Sequence, residues 1–252
     1  MRFTQSAASV TEHFSLGMLA RVMQGWTLSE APFDPAGGWE NQYTFYTLIH
    51  NNRRNPVYGI PAGSLRLKRT ATRNGRFRLE FDYRKFLKDE WNHRIAGQME
   101  CAEDDLSTPL SWRYATEIAP PFDGTLKSLT FECEMRAGNR DLSFTTSRQV
   151  RRTPRPESYS CLWAMFEAVQ RLPRDRNRQY LFTFFDRLHS ARPAHLLRYR
   201  ESVSVNGQRL HGFEQLGEGI LPSLFWTADN GRLALFSCGI TGFVLSPTES
   251  AR

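Results

Sequence analysis

The segment Gly63–Arg84 constrains the fold more than any other part of this chain, because its sequence, GSLRLKRTATRNGRFRLEFDYR, defines a β-hairpin and its register. Apolar and charged residues alternate on both sides of an Asn-Gly pair, which is typical of two antiparallel strands joined by a tight turn. A two-residue loop would place the two apolar sets on opposite faces, since successive side chains of a strand alternate. A three-residue loop over 73–75, with a left-handed Gly75 in a bulge, places both sets on one face. We therefore predict the three-residue loop.

This loop defines the cross-strand pairs of the hairpin. The predicted pairs are Leu67 with Phe81 and Leu65 with Tyr83 on the apolar face, and Lys68 with Glu80 and Arg66 with Asp82 on the charged face. Each pair of opposite charges contributes roughly 0.2–1 kcal/mol. The hairpin therefore predicts a long antiparallel ribbon with one apolar face and one charged face.

The composition is that of an ordinary soluble protein, with 40% hydrophobic and 23% charged residues in a chain of 252. A chain of this length holds one large β domain or two small domains. Its apolar runs are shorter than the roughly 20 residues that span a bilayer. The N-terminus lacks an apolar signal segment followed by a small-residue cleavage site. We expect the protein in the periplasm or outside the cell if a signal has been removed from the sequence, and in the cytoplasm otherwise.

The chain carries a formal net charge of +7, and much of the excess is arginine. One cluster comprises Arg148, Arg151, Arg152 and Arg155, and a second follows at 171–178. Such clusters bind anionic surfaces or polymers, and they also occur in solvated loops, which is the interpretation we favour. Interleaved aromatic residues and nucleic-acid motifs are missing, so the sequence does not indicate a nucleic-acid partner.

The four cysteines are Cys101, Cys133, Cys161 and Cys238, and they form no CxxC motif and no Cys/His spacing typical of a metal site. Cys133 shares its strand parity with apolar neighbours, which favours buried free thiols. One long-range disulfide stays open as the alternative if the protein is exported. Motifs for nucleotide phosphates, dinucleotides, a serine-nucleophile elbow, zinc proteases and calcium loops are also missing from the sequence. We expect no metal and no cofactor.

The order of strand and helix patterns predicts a mainly β fold, in which a large curved antiparallel sheet or open barrel carries an N-terminal helix and one inserted helix. The predicted elements are an N-terminal helix at about 10–24, a first β block at 42–150, a helix at 160–172 and a second β block at 180–245. A linker-like segment, Arg148–Glu157, contains two prolines among arginines. A division of the chain near this linker is the alternative, but each half would leave an apolar sheet face uncovered. We therefore predict a single domain over 1–252.

Three pieces of the chain carry a resemblance to a known group of proteins. They are the strand Gly63–Leu67, the hairpin around Asn206-Gly207, and the segment Trp226–Leu233, which reads WTADNGRL. With their strand order, these pieces resemble LolA-like exported β-sheet proteins, which include the bacterial domain of unknown function DUF3108. The resemblance implies a strongly curved sheet around a cavity that a helix plugs. Better-known members carry lipids or lipoproteins across the periplasm, so the resemblance also implies an amphiphile-binding role.

The candidate catalytic residues are His211, Glu214 and His93. Imidazole titrates near neutral pH, and a carboxylate can orient it for acid–base chemistry. The strand period places His211 and Glu214 on opposite faces unless a bulge intervenes. His211 can instead pair with Glu201 or Ser202 across the next hairpin, and a structural, hydrogen-bonded histidine is the simpler interpretation.

The candidate ligand-binding residues are the aromatic side chains of Trp226, Phe225, Trp91 and Trp39. Aromatic residues at the rim of a sheet can line a lipid pocket or stack on sugars. They also pack in cores, which is the simpler interpretation for each of them.

Three functions follow from these observations as hypotheses. The first is a β-sheet protein that binds a hydrophobic or amphiphilic, lipid-like ligand in a concave pocket. The second is an enzyme, a lyase or hydrolase, that acts on a carbohydrate or polyketide-like substrate with His and Glu residues in the concavity. The third is an interaction module that binds an acidic partner through its arginine clusters. The sequence does not indicate an oligomeric state.

Overall fold

The structure is a computed structural model that describes residues 23, 26–27, 32–49, 57–86, 92–120, 128–186, 188–239 and 241–246. These residues contain fifteen strands and one helix, α1 (Leu162–Ala168). The strands are β1 (Trp39–Ile49), β2 (Val57–Ala71), β3 (Arg76–Lys85), β4 (Asn92–Ala102), β5 (Pro109–Ala119), β6 (Leu129–Ala137), β7 (Asp141–Thr146), β8 (Val150–Pro154), β9 (Tyr159–Cys161), β10 (Gln179–Asp186), β11 (Ser190–Val205), β12 (Gln208–Leu216), β13 (Ser223–Ala228), β14 (Leu233–Cys238) and β15 (Thr241–Leu245).

The two β blocks form one sheet. Its strand order is β8-β7-β6-β5-β4-β3-β2-β1-β15-β14-β13-β12-β11-β10-β9. Neighbouring strands are antiparallel except for β9 and β10, which pair in parallel. The first and last strands, β1 and β15, pair with each other and place Phe45 opposite Phe243. This pairing joins the first block to the second, and the single large sheet confirms the predicted mainly β fold.

The register predicted for the β2–β3 hairpin is confirmed. Leu67 lies opposite Phe81. The Thr72 backbone N–H donates to the Arg76 carbonyl at 3.1 Å, which closes a three-residue loop. Gly75 has a φ of 65°, the left-handed conformation that this bulge requires.

The ion pairs on the charged face of this hairpin differ from the predicted ones. Arg66 lies opposite Asp82, but its guanidinium donates to Glu40 on β1 at 2.8 Å. Asp82 instead accepts hydrogen bonds from Arg84 and from Arg94 on β4, both at 2.9 Å. A long side chain reaches neighbours beside and diagonal to it as well as the residue opposite. The register alone therefore does not determine the partner.

Helix α1 is shorter than the helix predicted at 160–172. The segment Tyr159–Cys161 forms β9 and pairs with Thr183–Phe185 of β10. After Ala168 the chain turns, and the Arg171 N–H donates to the Ala168 carbonyl at 2.9 Å. The apolar pattern extends beyond the helix because the strand before it and the turn after it are buried as well.

Both β blocks are longer than predicted. The first block begins at Trp39 rather than at residue 42 and ends at Pro154 rather than at residue 150, and the second begins at Gln179. The predicted linker Arg148–Glu157 contributes strand β8, which pairs with β7. Proline is compatible with this position because β8 is an edge strand of the sheet.

The sheet curves around α1 until the inner faces of distant strands meet. The ring centroids of Trp112 on β5 and Phe144 on β7 each lie 5.8 Å from that of Phe185 on β10. The Tyr159 hydroxyl on β9 donates to the Pro109 carbonyl on β5 at 2.8 Å. These contacts bring strands of the two halves of the sheet together, so the curved sheet encloses α1 as an open barrel would.

The predicted N-terminal helix at about 10–24 lies outside the described residues except for Met23. Met23 and Trp26 are buried. The Trp26 indole N–H donates to the Leu245 carbonyl at 2.7 Å, and the Asn206 amide donates to the Met23 carbonyl at 3.1 Å. These hydrogen bonds attach the described start of the chain to β15 and to the β11–β12 hairpin.

The four cysteines are free thiols in this structure. Cys101, Cys133 and Cys161 are buried, and Cys238 is half-buried. Burial raises the pKa of the Cys161 thiol to about 12, which keeps it protonated at neutral pH. These positions agree with the buried free thiols that the sequence favours.

Candidate functional site

Helix α1 fills the centre of the curved sheet with aromatic packing. The ring centroid of Phe166 lies 5.6 Å from that of Tyr43, 5.9 Å from Phe225, 5.0 Å from Phe236 and 5.7 Å from Phe243. Phe225, a candidate ligand-binding residue, is completely buried in this cluster. The cluster belongs to the core of the protein.

The tryptophans among the candidate ligand-binding residues lie apart from one another. Trp226 is buried and packs over Gly212, where an added Cβ would lie 2.6 Å from the indole ring. Trp39 is buried, and its indole N–H donates to the Pro35 carbonyl at 3.2 Å. Trp91 lies outside the described residues. The described tryptophans therefore do not form a common pocket.

A buried ion-pair network attaches α1 to the first block, and the sequence alone did not indicate it. Arg69 on β2 donates to Glu167 on α1 at 2.8 Å and to Glu103 at 2.6 Å. Arg171 donates to both carboxylate oxygens of Glu167, at 2.8 and 3.0 Å, and the Ser107 hydroxyl donates to the same carboxylate. The side chains of Arg69 and Glu167 are completely buried. The network therefore holds the helix in place.

The sequence held a signal for this network, because it placed two charged residues at positions that its apolar patterns assign to the core. Arg69 has the parity of Leu65 and Leu67 on the apolar face of the β2–β3 hairpin. Glu167 lies next to Phe166 in the apolar helix. A charge at a core position requires a partner of opposite charge. The sequence could therefore have marked both residues as charges that need a buried partner, but it did not identify the partner of either one.

The inner face of the first block is only partly buried at the end of the strands opposite this network. Two rows of paired residues cross β3 to β6 there: Tyr83, Ile95, Thr116 and Phe131, and then Lys85, His93, Ile118 and Leu129. Leu129 is 64% exposed and Phe131 is 43% exposed, and the apolar side chains of Tyr83 and Ile95 are half-buried. We call Tyr83, Ile95, Ile118, Leu129 and Phe131 the open-end surface.

The open-end surface is continuous with the buried core. The ring centroid of Tyr83 lies 5.6 Å from that of Phe45 and 6.0 Å from that of Trp163 on α1. Burial raises the pKa of Tyr83 above its usual value, so the phenol stays neutral. His93, a candidate catalytic residue, packs edge-on against Tyr83 at 6.1 Å. The structure therefore places His93 at the rim of this surface.

A groove of about 410 Å³ lies on the charged face of the first block. Its lining consists of Arg66, Glu80, Phe81, Asp82, Ala96, Gly97, Gln98, Arg113, Tyr114, Ala115 and Glu132. Partial burial acts to raise the pKa of Asp82, but hydrogen bonds from Arg94 and Arg84 outweigh it and lower the pKa to about 2. Arg113 lies 3.7 Å from Glu132. The walls thus carry charges of both signs. Arg113 and Glu132 pair with each other within the lining, whereas Asp82 pairs with arginines outside it.

The first arginine cluster lies on and around the edge strand β8. Arg151 donates to the His189 carbonyl at 2.9 Å, and Arg155 donates to the Gly138 carbonyl at 2.9 Å. Arg152 lies 3.9 Å from a carboxylate of β7. Part of this positive charge therefore serves contacts within the protein.

His211 makes two side-chain hydrogen bonds. Its Nδ1 lies 2.8 Å from Ser202 Oγ on β11, and its Nε2 lies 2.7 Å from Asp229 Oδ1 in the β13–β14 turn. Ser202 is one of the two cross-strand partners that the sequence allowed. Glu214 points to the opposite face of β12 and accepts a hydrogen bond from Arg198 at 2.8 Å. The structure does not bring His211 and Glu214 together.

In the part of the chain that the structure describes, no group of three or more His, Cys, Asp or Glu side chains could hold a metal ion. No helix within those same residues is both long enough and apolar enough to cross a membrane.

Comparison with known proteins gives information about the fold. No protein-family model matches the chain, and no curated protein matches it in sequence. Its structure is similar to a beta-barrel-like protein of domain of unknown function DUF1849 from Brucella abortus, with a TM-score of 0.56 and 10% sequence identity. The match covers 84% of this chain and 96% of that chain. It supports a β-barrel-like fold, and it does not identify the chain as a LolA-like or DUF3108 protein.

Proposed function

We propose that this protein binds a lipid-like amphiphile whose apolar chain lies on the open-end surface. The observation that carries the proposal is the exposure of Leu129 and Phe131 on a face of β6 that is otherwise buried. Further along the same strand, Cys133 and Met135 share this parity and are buried. Large apolar side chains that are exposed side by side on a soluble protein mark a binding surface.

The chemistry of the open-end surface suits an acyl or alkyl chain. Its five side chains are aliphatic or aromatic, and none carries a carboxylate. Each methylene group that leaves water on such a surface contributes about 0.8 kcal/mol. Lys85 and His93 lie at the rim, in the same row as Leu129. A lysine ammonium in this position favours an anionic headgroup.

The position of α1 determines how much of the concavity a ligand can occupy. Trp163 and Phe166 pack against the sheet in the centre of the barrel. An amphiphile therefore occupies the open end and does not pass through the molecule. The concave pocket predicted from the sequence is, in this proposal, limited to one end of the first block.

A binding titration with matched variants tests the proposal. We expect a fluorescent long-chain fatty acid to bind the purified protein saturably. The double variant L129S/F131S should raise Kd at least about tenfold, since each buried side chain contributes about 1.5–3 kcal/mol. The double variant V150S/L181S, which removes two exposed apolar side chains elsewhere, should leave Kd unchanged.

Two results would overturn the proposal. One is the absence of saturable binding to the wild-type protein, together with a native mass spectrum that shows no bound lipid after incubation with lipid vesicles. The other is an equal loss of affinity in both double variants, because it would mean that general surface hydrophobicity causes the binding.

A further inference from the structure

The β11–β12 hairpin places a serine beside His211. Its two-residue loop, Asn206-Gly207, has positive φ values of 50° and 78°, as a tight hairpin turn requires. The register that follows from this loop sets Ser202 directly opposite His211. The hydroxyl oxygen and ring Nδ1 therefore meet at 2.8 Å.

The hydrogen bonds of the His211 ring determine which nitrogen carries the proton. The Asp229 carboxylate can only accept, so Nε2 is protonated and donates to Oδ1 at 2.7 Å. In the neutral ring Nδ1 is then an acceptor, and it accepts a hydrogen bond from the Ser202 hydroxyl. The Tyr199 hydroxyl lies 2.8 Å from Ser202 Oγ and donates to it, because the serine proton is already engaged. Proton donation thus runs from Tyr199 through Ser202 and His211 to Asp229.

The β13–β14 turn holds Asp229 in place. The Gly231 N–H donates to the Ala228 carbonyl at 2.9 Å and closes the turn. Arg174, in the segment after α1, donates to the carbonyls of Ala228 and Asp229 at 2.8 and 3.0 Å. The carboxylate is therefore presented to His211 by an ordered backbone.

The solvent exposure of Ser202, His211 and Asp229 suits a serine nucleophile that a histidine base activates. His211 is 3% exposed, whereas Ser202 and Asp229 are exposed. A shielded imidazole is protected from competing water, and the serine oxygen remains accessible to a substrate. Arg209 lies two residues before His211 on the same face of β12, opposite Ser204.

We propose that Ser202, His211 and Asp229 form a catalytic site that hydrolyses carboxylic esters by acyl transfer. A nucleophile hydrogen-bonded to a base, which a third group orients, is the arrangement on which this chemistry rests. The site lies in the second β block, so it is separate from the open-end surface and does not depend on the amphiphile-binding proposal.

The reaction has two stages. In the first, Ser202 Oγ bonds to the ester carbonyl carbon while its proton passes to His211 Nδ1. The bond to the alcohol oxygen then breaks, and Nδ1 returns the proton to the departing alcohol. In the second stage, a water oxygen bonds to the acyl carbon and gives its proton to Nδ1. The bond to Ser202 breaks, and the serine recovers its proton as the acid leaves.

Labelling with a fluorophosphonate probe tests this proposal, because the probe forms a covalent bond with an activated serine. We expect the purified wild-type protein to be labelled at one site, which peptide mass spectrometry maps to Ser202. The variant S202A should lose the label. The matched control S204A changes an exposed serine two residues away on the same strand, and it should be labelled as the wild type is.

The variant D229N tests the orienting carboxylate without removing the nucleophile. We expect it to lower both the labelling rate and the hydrolysis of p-nitrophenyl butyrate by at least about tenfold, since loss of the orienting carboxylate disfavours the required tautomer. Unchanged thermal unfolding of D229N and S202A would exclude misfolding as the cause. An unlabelled wild-type protein, or a label that persists in S202A, would overturn the proposal.

Discussion

At the scale of the residue, the position of a charge relative to the core determines its contribution to stability. Arg66 and Arg69 both lie on β2, and each pairs with a glutamate at 2.8 Å. The pair of Arg66 with Glu40 is exposed, whereas the pair of Arg69 with Glu167 is completely buried. The two pairs have the same length and very different surroundings, so their removal should have different consequences.

We expect Arg69→Met to lower the free energy of unfolding by about 3 kcal/mol, because it leaves a buried carboxylate without one of its partners. Arg66→Met is the matched control and should cost about 0–1 kcal/mol, as exposed pairs do. Urea unfolding monitored by circular dichroism measures both values. Equal losses in the two variants would mean that burial does not determine how much an ion pair contributes to stability.

The contribution of the Asp82 carboxylate to the stability of the fold should depend on pH. Partial burial opposes the effect, but hydrogen bonds from Arg94 and Arg84 hold its pKa at about 2, below the usual value of 3.8. A carboxyl group with a lowered folded-state pKa stabilises the fold above its unfolded pKa, and this stabilisation is lost as the pH falls through the folded pKa.

We therefore expect Asp82→Asn to be less stable than the wild-type protein at pH 7. The difference between the two should shrink as the pH falls from about 4 to about 2. Urea unfolding midpoints measured across this range provide the test. A difference that stays constant down to pH 2 would show that the two hydrogen-bonded arginines do not stabilise the ionised form.

At the scale of the element, the sequence was most informative where a strand pair is local. The β2–β3 hairpin follows from alternation and from an Asn-Gly turn, and both are contained within 22 residues. Helix α1 is different, because it has only seven residues and no side-chain cap at its start. A helix of this length is not stable alone. Its bounds therefore depend on the strands that surround it.

Phe166→Ala should be among the most destabilising single changes in the protein. It removes the ring that contacts four aromatic side chains from β1, β13, β14 and β15, and such a loss in a core costs about 3–5 kcal/mol. Leu181→Ala, at a side chain that is 70% exposed, is the control and should change stability by at most about 0.5 kcal/mol. Thermal and urea unfolding measure both. A small effect of Phe166→Ala would mean that α1 is not required for the core.

At the scale of the whole molecule, one sheet contains both β blocks. The pairing of β1 with β15 crosses between them, and α1 packs against strands of both. The described strands of both blocks therefore share one sheet and pack against one helix. The open-end surface lies in the first β block, and the proposed Ser202 site lies in the second block of the same sheet.

We expect the two blocks to unfold together. Hydrogen exchange followed by mass spectrometry in increasing urea should give the same unfolding free energy for the slowest amides of β4 and of β13. The two free energies should agree because β1 pairs with β15 across the blocks and α1 packs against strands of both. A lower unfolding free energy for the amides of β13 than for those of β4 would instead indicate a division of the chain near Arg148–Glu157.

The sequence by itself determined the properties that local chemistry encodes. Alternation and turn residues were enough for the mainly β class, for the register of the β2–β3 hairpin and for the tight turn at Asn206-Gly207. Only the tertiary structure decided which distant groups meet. Arg69 and Glu167 are 98 residues apart, and His211 and Asp229 are 18 apart. The physical reason is that strand periodicity assigns a side chain to a face of the sheet, whereas the curvature of the sheet and the packing of α1 decide what lies opposite that face.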